Sequence, residues 1–140
     1  MTTPDKPLPI PDTLSEHWFD AARQGKLLIQ RSTVSGKYQW YPRAHVIGSL
    51  TEDVEWVQAT GTGHIYTYTV VHRTANAEFA ADCPYVFAIV ELDEGVRLST
   101  RIVDVPFDDL RCGLPVGVKF TKVSDEISLP YFTLAKGAQA

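Results

Sequence analysis

Ser32 and Ser35 stand in the turn Ser32-Thr33-Val34-Ser35-Gly36, at the spacing where a Cys-x-x-Cys-Gly knuckle aims two sulfurs at one metal ion. The stretch around them, Leu27 to Trp56, has the layout of a small zinc ribbon, in which two tight turns each present a pair of ligands. It contains no cysteine. The second turn falls near Arg43–Ser49 and offers only His45, so a four-sulfur site is excluded and no zinc is expected.

Acid–base or nucleophilic chemistry needs groups within reach of one another. His64 and His72 fall on one expected strand, roughly 26 Å apart at ~3.3 Å per residue, and cannot form a site together. Cys83 lacks the glycine-rich or helix-start setting that lowers a thiol pKa, so inert packing is expected of it. Asp93-Glu94 and Asp108-Asp109 suit turns and caps. No catalytic set is expected. Binding is another matter. His72-Arg73 opens a long loop, and a basic pair there suits a phosphate or carboxylate; the bland reading is a solvated strand end. Trp40, Tyr41, Tyr66 and Tyr68 are rings that could stack a nucleobase such as the adenine of coenzyme A, with Lys37, Arg43 and Arg73 as the nearest cations for its phosphates. The alternative for each ring is core or interface, and Trp18, Trp40 and Tyr41 are read as interface anchors.

The 140 residues fit one domain, long enough to hold a core without disulfide or metal. A net charge of -4 with mixed signs disfavours a general phosphate-backbone binder. The opening MTTPDKPLPIPDT lacks the apolar core of a signal peptide, and no later run approaches ~18 apolar residues. A soluble, cytoplasmic protein with no membrane contact is expected, with Cys83 and Cys112 as free thiols.

The elements that must position these residues follow from period and punctuation. Pro4, Pro7, Pro9 and Pro11 keep the start extended as a strap. Asp12 or Thr13 can cap a helix that Gly25 closes, with Leu14, Trp18, Ala21 and Ala22 as its apolar stripe. Strands are expected at 27–31, 38–41, 54–59, 63–73, 85–92, 96–104 and 116–123, with a hairpin at Asp93-Glu94-Gly95 and one helical turn at 107–110. In the 63–73 strand, Ile65, Thr67, Thr69 and Val71 share one face, and His64, Tyr66, Tyr68, Val70 and His72 the other. The last five strands suggest a small Greek-key barrel. The expected division is a strap and helix at 1–26, a metal-free ribbon-like lobe at 27–53, a barrel at 54–136 and a loose tail at 137–140.

The order of segments carries a resemblance. A Trp-bearing helix runs into Gly25-Lys26-Leu27-Leu28-Ile29-Gln30-Arg31, then the ribbon with Tyr41-Pro42-Arg43, then Val54-Glu55-Trp56-Val57. After these come Gly61-Thr62-Gly63-His64-Ile65-Tyr66-Thr67-Tyr68, Pro84-Tyr85-Val86-Phe87-Ala88-Ile89-Val90-Glu91-Leu92, Gly113-Leu114-Pro115-Val116 and Leu129-Pro130-Tyr131-Phe132. Over nearly its whole length the chain resembles the acyl-CoA-associated OB-fold family with an N-terminal rubredoxin-like zinc ribbon. The resemblance implies a mainly β, five-stranded OB-fold barrel and a non-catalytic accessory subunit. Its implied partner is a thiolase-like enzyme (a thiolase, acyltransferase or retro-aldolase) acting on acyl-CoA thioesters. No tightly bound cofactor is implied, only contact with coenzyme A or acyl-CoA. The departure is the ribbon, whose ligands are lost. Two rival readings are a single-stranded nucleic-acid-binding OB module, which the acidic charge disfavours, and a stand-alone acyl-CoA hydrolase or hydratase, which lacks a residue pair to carry it.

Overall fold

A computed structural model describes residues 5–137. Pro4 of the strap and residues 138–140 of the expected tail lie outside that range.

Asp12 and Ser15 start the helix with reciprocal hydrogen bonds: Asp12 Oδ1 accepts from the Ser15 N–H at 2.7 Å, and Ser15 Oγ accepts from the Asp12 N–H at 2.9 Å. Helix α1 (Glu16–Arg23) buries Trp18, Ala21 and Ala22. Gly25, at φ 77°, ends it, with Lys26 N–H bonded to Ala21 O and Gly25 N–H to Ala22 O, so two otherwise orphaned carbonyls are satisfied. Strands β1 (Leu28–Ser32), β2 (Tyr38–Gln39) and β3 (Val54–Gln58) then form a small antiparallel sheet in the order β2-β1-β3. Strands β4 (Thr62–Val71), β5 (Tyr85–Leu92), β6 (Arg97–Ile102), β7 (Pro115–Lys122) and β8 (Ser128–Leu134) close a barrel in the order β4-β5-β6-β8-β7. That is an OB-fold, mainly β with one short helix. Short 3-10 helices occupy Ala77–Asp82, in the loop after β4, and Phe107–Asp109, where a helical turn was expected.

Two strand assignments differ from the sequence reading. The 54–59 segment was expected in the barrel, yet β3 pairs along its length with β1, from Leu28↔Gln58 to Ser32↔Val54. The fifth barrel strand is instead β8, which carries Pro130, a residue that argues against a strand interior. It is tolerated because the parallel β6–β8 contact is a single bridge, Ile102↔Phe132, and the Pro130 carbonyl is met by Thr100 Oγ1 at 2.6 Å.

The third correction lies inside β4. A register shift between Ile65 and Thr67 inserts Tyr66 as a bulge, so the faces exchange beyond it. Ile65 points inward, and so do Tyr68 and Val70, which pack on the core. Thr67 and Thr69 turn outward. Tyr66 and Tyr68, expected to share a face, are separated by it. One apolar core runs from Trp18, Leu27 and Ile29 into Ile65, Val86, Ala88, Val90, Leu98, Leu114, Val116 and Phe132, joining the small sheet to the barrel. No helix of the described residues is long and apolar enough to cross a membrane.

Gly63 marks the tightest point of that barrel, because an added Cβ would sit 2.2 Å from the Glu91 carbonyl oxygen. Gly63→Ala is expected to destabilise the fold by about 3 kcal/mol in urea unfolding. Gly95→Ala, at φ 93° in open space, should lose only about 1 kcal/mol. Equal midpoints for the two variants would contradict the close approach of β4 to β5.

Candidate functional site

Alternation along β5 and β6 sends Tyr85, Phe87, Ile89 and Glu91 outward beside Arg97, Ser99 and Arg101, through the pairs Phe87↔Arg101, Ile89↔Ser99 and Glu91↔Arg97. With Thr67 and Thr69 of β4 this forms a broad outer face, with Phe87 43% exposed at its centre. Each end of the face is bound to another part of the chain.

At one end lies the ribbon-like lobe. Tyr41 Oη donates to Ser99 Oγ at 3.2 Å and accepts from Ser99 N–H at 3.4 Å. Arg97 stands 3.8 Å over the Tyr66 ring and bonds Glu91 at 2.7 Å, which lowers the Glu91 carboxyl pKa and raises that of the guanidinium. Trp40 packs on the core between Trp18 (5.7 Å between ring centres) and Tyr41 (5.4 Å); its Nε1, buried, has no hydrogen-bond partner among the described residues.

The lobe keeps knuckle geometry without knuckle ligands. Ser32 Oγ accepts from the N–H groups of Val34 (3.3 Å) and Ser35 (3.1 Å), as a knuckle sulfur would, and donates to Asp53 Oδ2 at 2.8 Å. Hydrogen bonds from Thr51 and Ser32 hold the Asp53 carboxyl below its usual pKa. The lobe is held together by two buried amides on paired strands, Gln30↔Gln39. Gln30 Nε2 donates to Arg43 O (2.9 Å), and Gln30 Oε1 accepts from Arg43 N–H and Gln39 Nε2 (both 2.9 Å). Gln39 Nε2 also donates to His45 O at 3.0 Å, and Gln39 Oε1 accepts from Ile47 N–H at 2.9 Å. Two side chains thus tie down the backbone of the second turn at three residues. A cleft of about 680 Å³ opens between the turns, lined by Val34, Lys37, Trp40, Ile47 and Arg97 among others. The described residues hold no cluster of three or more His, Cys, Asp or Glu able to take a metal ion.

At the other end of the face the strap is latched. Asp82, in the 3-10 turn after β4, accepts from Lys6 Nζ at 2.7 Å and from Arg101 at 2.9 Å. Arg101 lies 3.9 Å over Tyr85, with Phe79 and Tyr131 near 6 Å. Burial raises the Asp82 pKa, but hydrogen bonds and charge from Lys6 and Arg101 prevail, and the net shift is downward.

The residues singled out in sequence do not converge. Lys37 is exposed on the rim of the cleft, where Arg97 also stands. Arg43 has an exposed side chain, and it is its backbone that is held. Tyr66 is exposed under Arg97, whereas Tyr68 packs inward and donates to Leu110 O at 3.1 Å. His72 and Arg73 are exposed just past the end of β4, with no ion pair among the described residues. Trp18 is 7% exposed, its Nε1 bonded to Leu28 O, so it anchors the chain's interior. Trp40 is half-buried against that interior, and Tyr41 is exposed but tethered. Cys83 and Cys112 are free thiols. Sequence reasoning missed Gln30, Gln39, Asp82, Arg97 and Arg101. Phe87 and Tyr85, apolar on the outward phase of β5, were a readable sign that this face is partly covered.

Residues 56–121 match the family described as the ChsH2 C-terminal OB-fold domain. The chain is 35% identical over 127 residues to a probable enoyl-CoA hydratase alpha subunit of Thermomonospora curvata, covering 91% of this chain and 39% of that protein. It is 38% identical over 74 residues to a DUF35 domain-containing scaffold protein of Methanocaldococcus jannaschii, covering 53% of this chain and 52% of that one. It thus spans about half or less of the length of these relatives. Among solved structures it is similar to a chain of the Ltp2-ChsH2(DUF35) aldolase, with TM-score 0.80 and 34% identity over 91% of this chain and 98% of that one. A DUF35 protein of unknown function from Sulfolobus solfataricus shares the fold, at TM-score 0.59 and 12% identity.

Replacing Gln30 with Leu would leave the Arg43 backbone unpaired and Gln39 half-satisfied, so a loss of about 2–3 kcal/mol is expected. Amide exchange should rise across residues 40–47 while β5 stays protected; unchanged exchange there would remove the amide pair from its structural role. The depressed Asp82 pKa has a signed consequence. The latch contributes fully above the ordinary value of 3.8 and is lost as pH falls through the lower folded value. Thermal melts from about pH 2 to 6 should show a shallower acid slope for Asp82→Asn than for the wild type, and identical slopes would count against the latch.

Proposed function

This chain belongs to the DUF35 family of ChsH2-type OB-fold proteins, and on that premise we propose that it is a non-catalytic accessory subunit of a thiolase-like enzyme acting on acyl-CoA thioesters. The observation that carries the proposal is the match to the Ltp2-ChsH2(DUF35) aldolase, because it covers 98% of that chain at 34% identity. The name scaffold protein for the archaeal relatives supports the same role.

The chemistry of the chain agrees with it. Cys83 Sγ meets the Phe79 carbonyl at 3.9 Å, and Cys112 lies on the surface. His64 is engaged with Glu91, and the bulge at Tyr66 leaves the expected rings on different faces. Within this reading the large subunit holds the reacting atoms, and the small one stabilises it and shapes the entrance to its site. His72 and Arg73, exposed and unpaired among the described residues, are the groups we assign to the phosphates of the acyl-CoA. The lobe works without zinc, its knuckles held by Ser32, Asp53 and the paired amides.

A second reading has one observation behind it, the hydratase name of the Thermomonospora relative. That protein is much longer than the part this chain spans, and the Glu91 carboxylate that His64 approaches at 3.9 Å is bonded by Arg97 at 2.7 Å, which holds it as a charged partner and not as a free base.

Co-expression with a thiolase-like protein encoded beside this chain should yield a stable heteromeric complex free of stoichiometric zinc, whose acyl-CoA turnover falls when this chain is omitted. In the complex, Arg73→Ala should raise KM for the acyl-CoA severalfold; an unchanged KM removes His72 and Arg73 from the assignment. A monomer that turns over acyl-CoA unaided, with no effect on any thiolase-like protein, would sink the accessory role. One zinc surviving chelator dialysis would overturn the metal-free lobe.

A further inference from the structure

The strap lies on the barrel without joining its sheet. Among the described residues, residues 5–11 make a single hydrogen bond to the rest of the chain, Lys6 Nζ to Asp82 Oδ1 at 2.7 Å, and no backbone bond. Addition of a strand to a sheet edge needs a backbone ladder, so it is excluded as the mode of contact. What remains is prolines against rings. Pro7 and Pro9 share the walls of two cavities with Phe79 from the turn after β4, Arg101 from β6, and Leu129 and Tyr131 from β8. Alternate prolines hold a chain extended with preset φ angles, and aromatic-lined grooves recognise that form at little entropic cost. The cation beside the prolines meets an acid.

The groove is larger than the strap it holds. Cavities of about 630 and 470 Å³ remain against the strap, and the second runs on to Tyr85 and to Phe87, which stays 43% exposed. Leu8 and Ile10 of the strap are themselves 43% and 93% exposed, so its apolar side chains fill little of that space. The latch is one partly exposed ion pair, a weak class of contact. On the barrel side the charges lining the cavities are balanced, Asp82 against Arg101 at 2.9 Å and Lys122 against Asp125 at 3.2 Å. OB-folds hold linear polymers on the face of their second and third strands, here β5 and β6. Balanced charge gives a polyanion no cationic track, whereas Asp82 Oδ1 already takes an ammonium. We propose that this groove is a recognition site for an extended, proline-rich, lysine-bearing segment of a partner protein, and that the strap occupies it in cis until such a segment, reaching on to Phe87, displaces it. The site is independent of the accessory role.

The strap's own sequence serves as the probe. A synthetic peptide DKPLPIP, residues 5–11, is titrated into the isotope-labelled full chain and followed by amide chemical shifts, with the fold of each variant checked by circular dichroism and melting. Lys6→Ala, Pro7→Gly and Pro9→Gly together unlatch the strap of the full chain. The peptide should bind that variant at least about tenfold more tightly than the wild type, whose tethered strap competes at an effective concentration on the order of 1 mM. Shifts should centre on Ala77–Asp82, the start of β5 and Tyr131. Adding Phe79→Ser to the unlatched chain should weaken the peptide about tenfold, and adding Asp82→Asn severalfold, with loss of its salt dependence. A peptide with Pro7 and Pro9 replaced by alanine should bind about tenfold more weakly. Absence of saturable binding to the unlatched chain overturns the site, as do equal affinities for the wild-type and unlatched chains, since the peptide would then lie elsewhere. Undiminished binding after Phe79→Ser, or by the alanine peptide, removes the rings or the prolines from recognition and overturns it too. Displacement of the peptide by oligothymidylate would assign the groove to nucleic acid instead.

Discussion

The pairing of two buried amides, Gln30 against Gln39, is the constraint on which the lobe depends. A zinc ribbon fixes two turns by making four ligands share one ion. Here each turn is fixed separately, the first by Ser32 and Asp53 and the second by the glutamines, which hold Arg43, His45 and Ile47 by their backbones. A structural zinc contributes on the order of 10 kcal/mol to a small ribbon, and hydrogen bonds of this kind net only about 1 kcal/mol each. Leu27 and Ile29 of the lobe side are buried in the same cluster as the barrel residues, so lobe and barrel share one core.

That shared core explains why Trp18, Trp40 and Tyr41 sit where they do. The three rings form a chain from the helix to the barrel surface, Trp18 fixed at Leu28 O and Tyr41 at Ser99. They were read as anchors for a partner, and two of them anchor the lobe to its own barrel.

Periodicity made most of the barrel legible. Strict alternation in Tyr85–Leu92 placed β5 to the residue, and the Asp93-Glu94-Gly95 turn joined it to β6. Glycine and aspartate punctuation marked both ends of the helix. What failed did so for local reasons. A bulge adds one residue without any mark in composition, so Tyr66 and Tyr68 were assigned to one face. Pro130 hid β8, because only the topology reveals that its neighbour strand makes a single bridge there. The candidate site was less legible still. A glutamine buried between strands looks the same in sequence as one in water, and the Lys6–Asp82–Arg101 latch joins residues far apart in the chain.

The use of amides as the staple has a consequence outside geometry. Thiolates holding zinc are open to oxidants and to competing chelators, so a metal-bearing ribbon loses its shape when the cell is stressed or starved of the ion. The Gln30 and Gln39 amides have no redox chemistry, and their oxygens accept from N–H groups of the chain itself. The hydrogen bonds that hold the second turn therefore depend neither on metal supply nor on the redox state of a thiol.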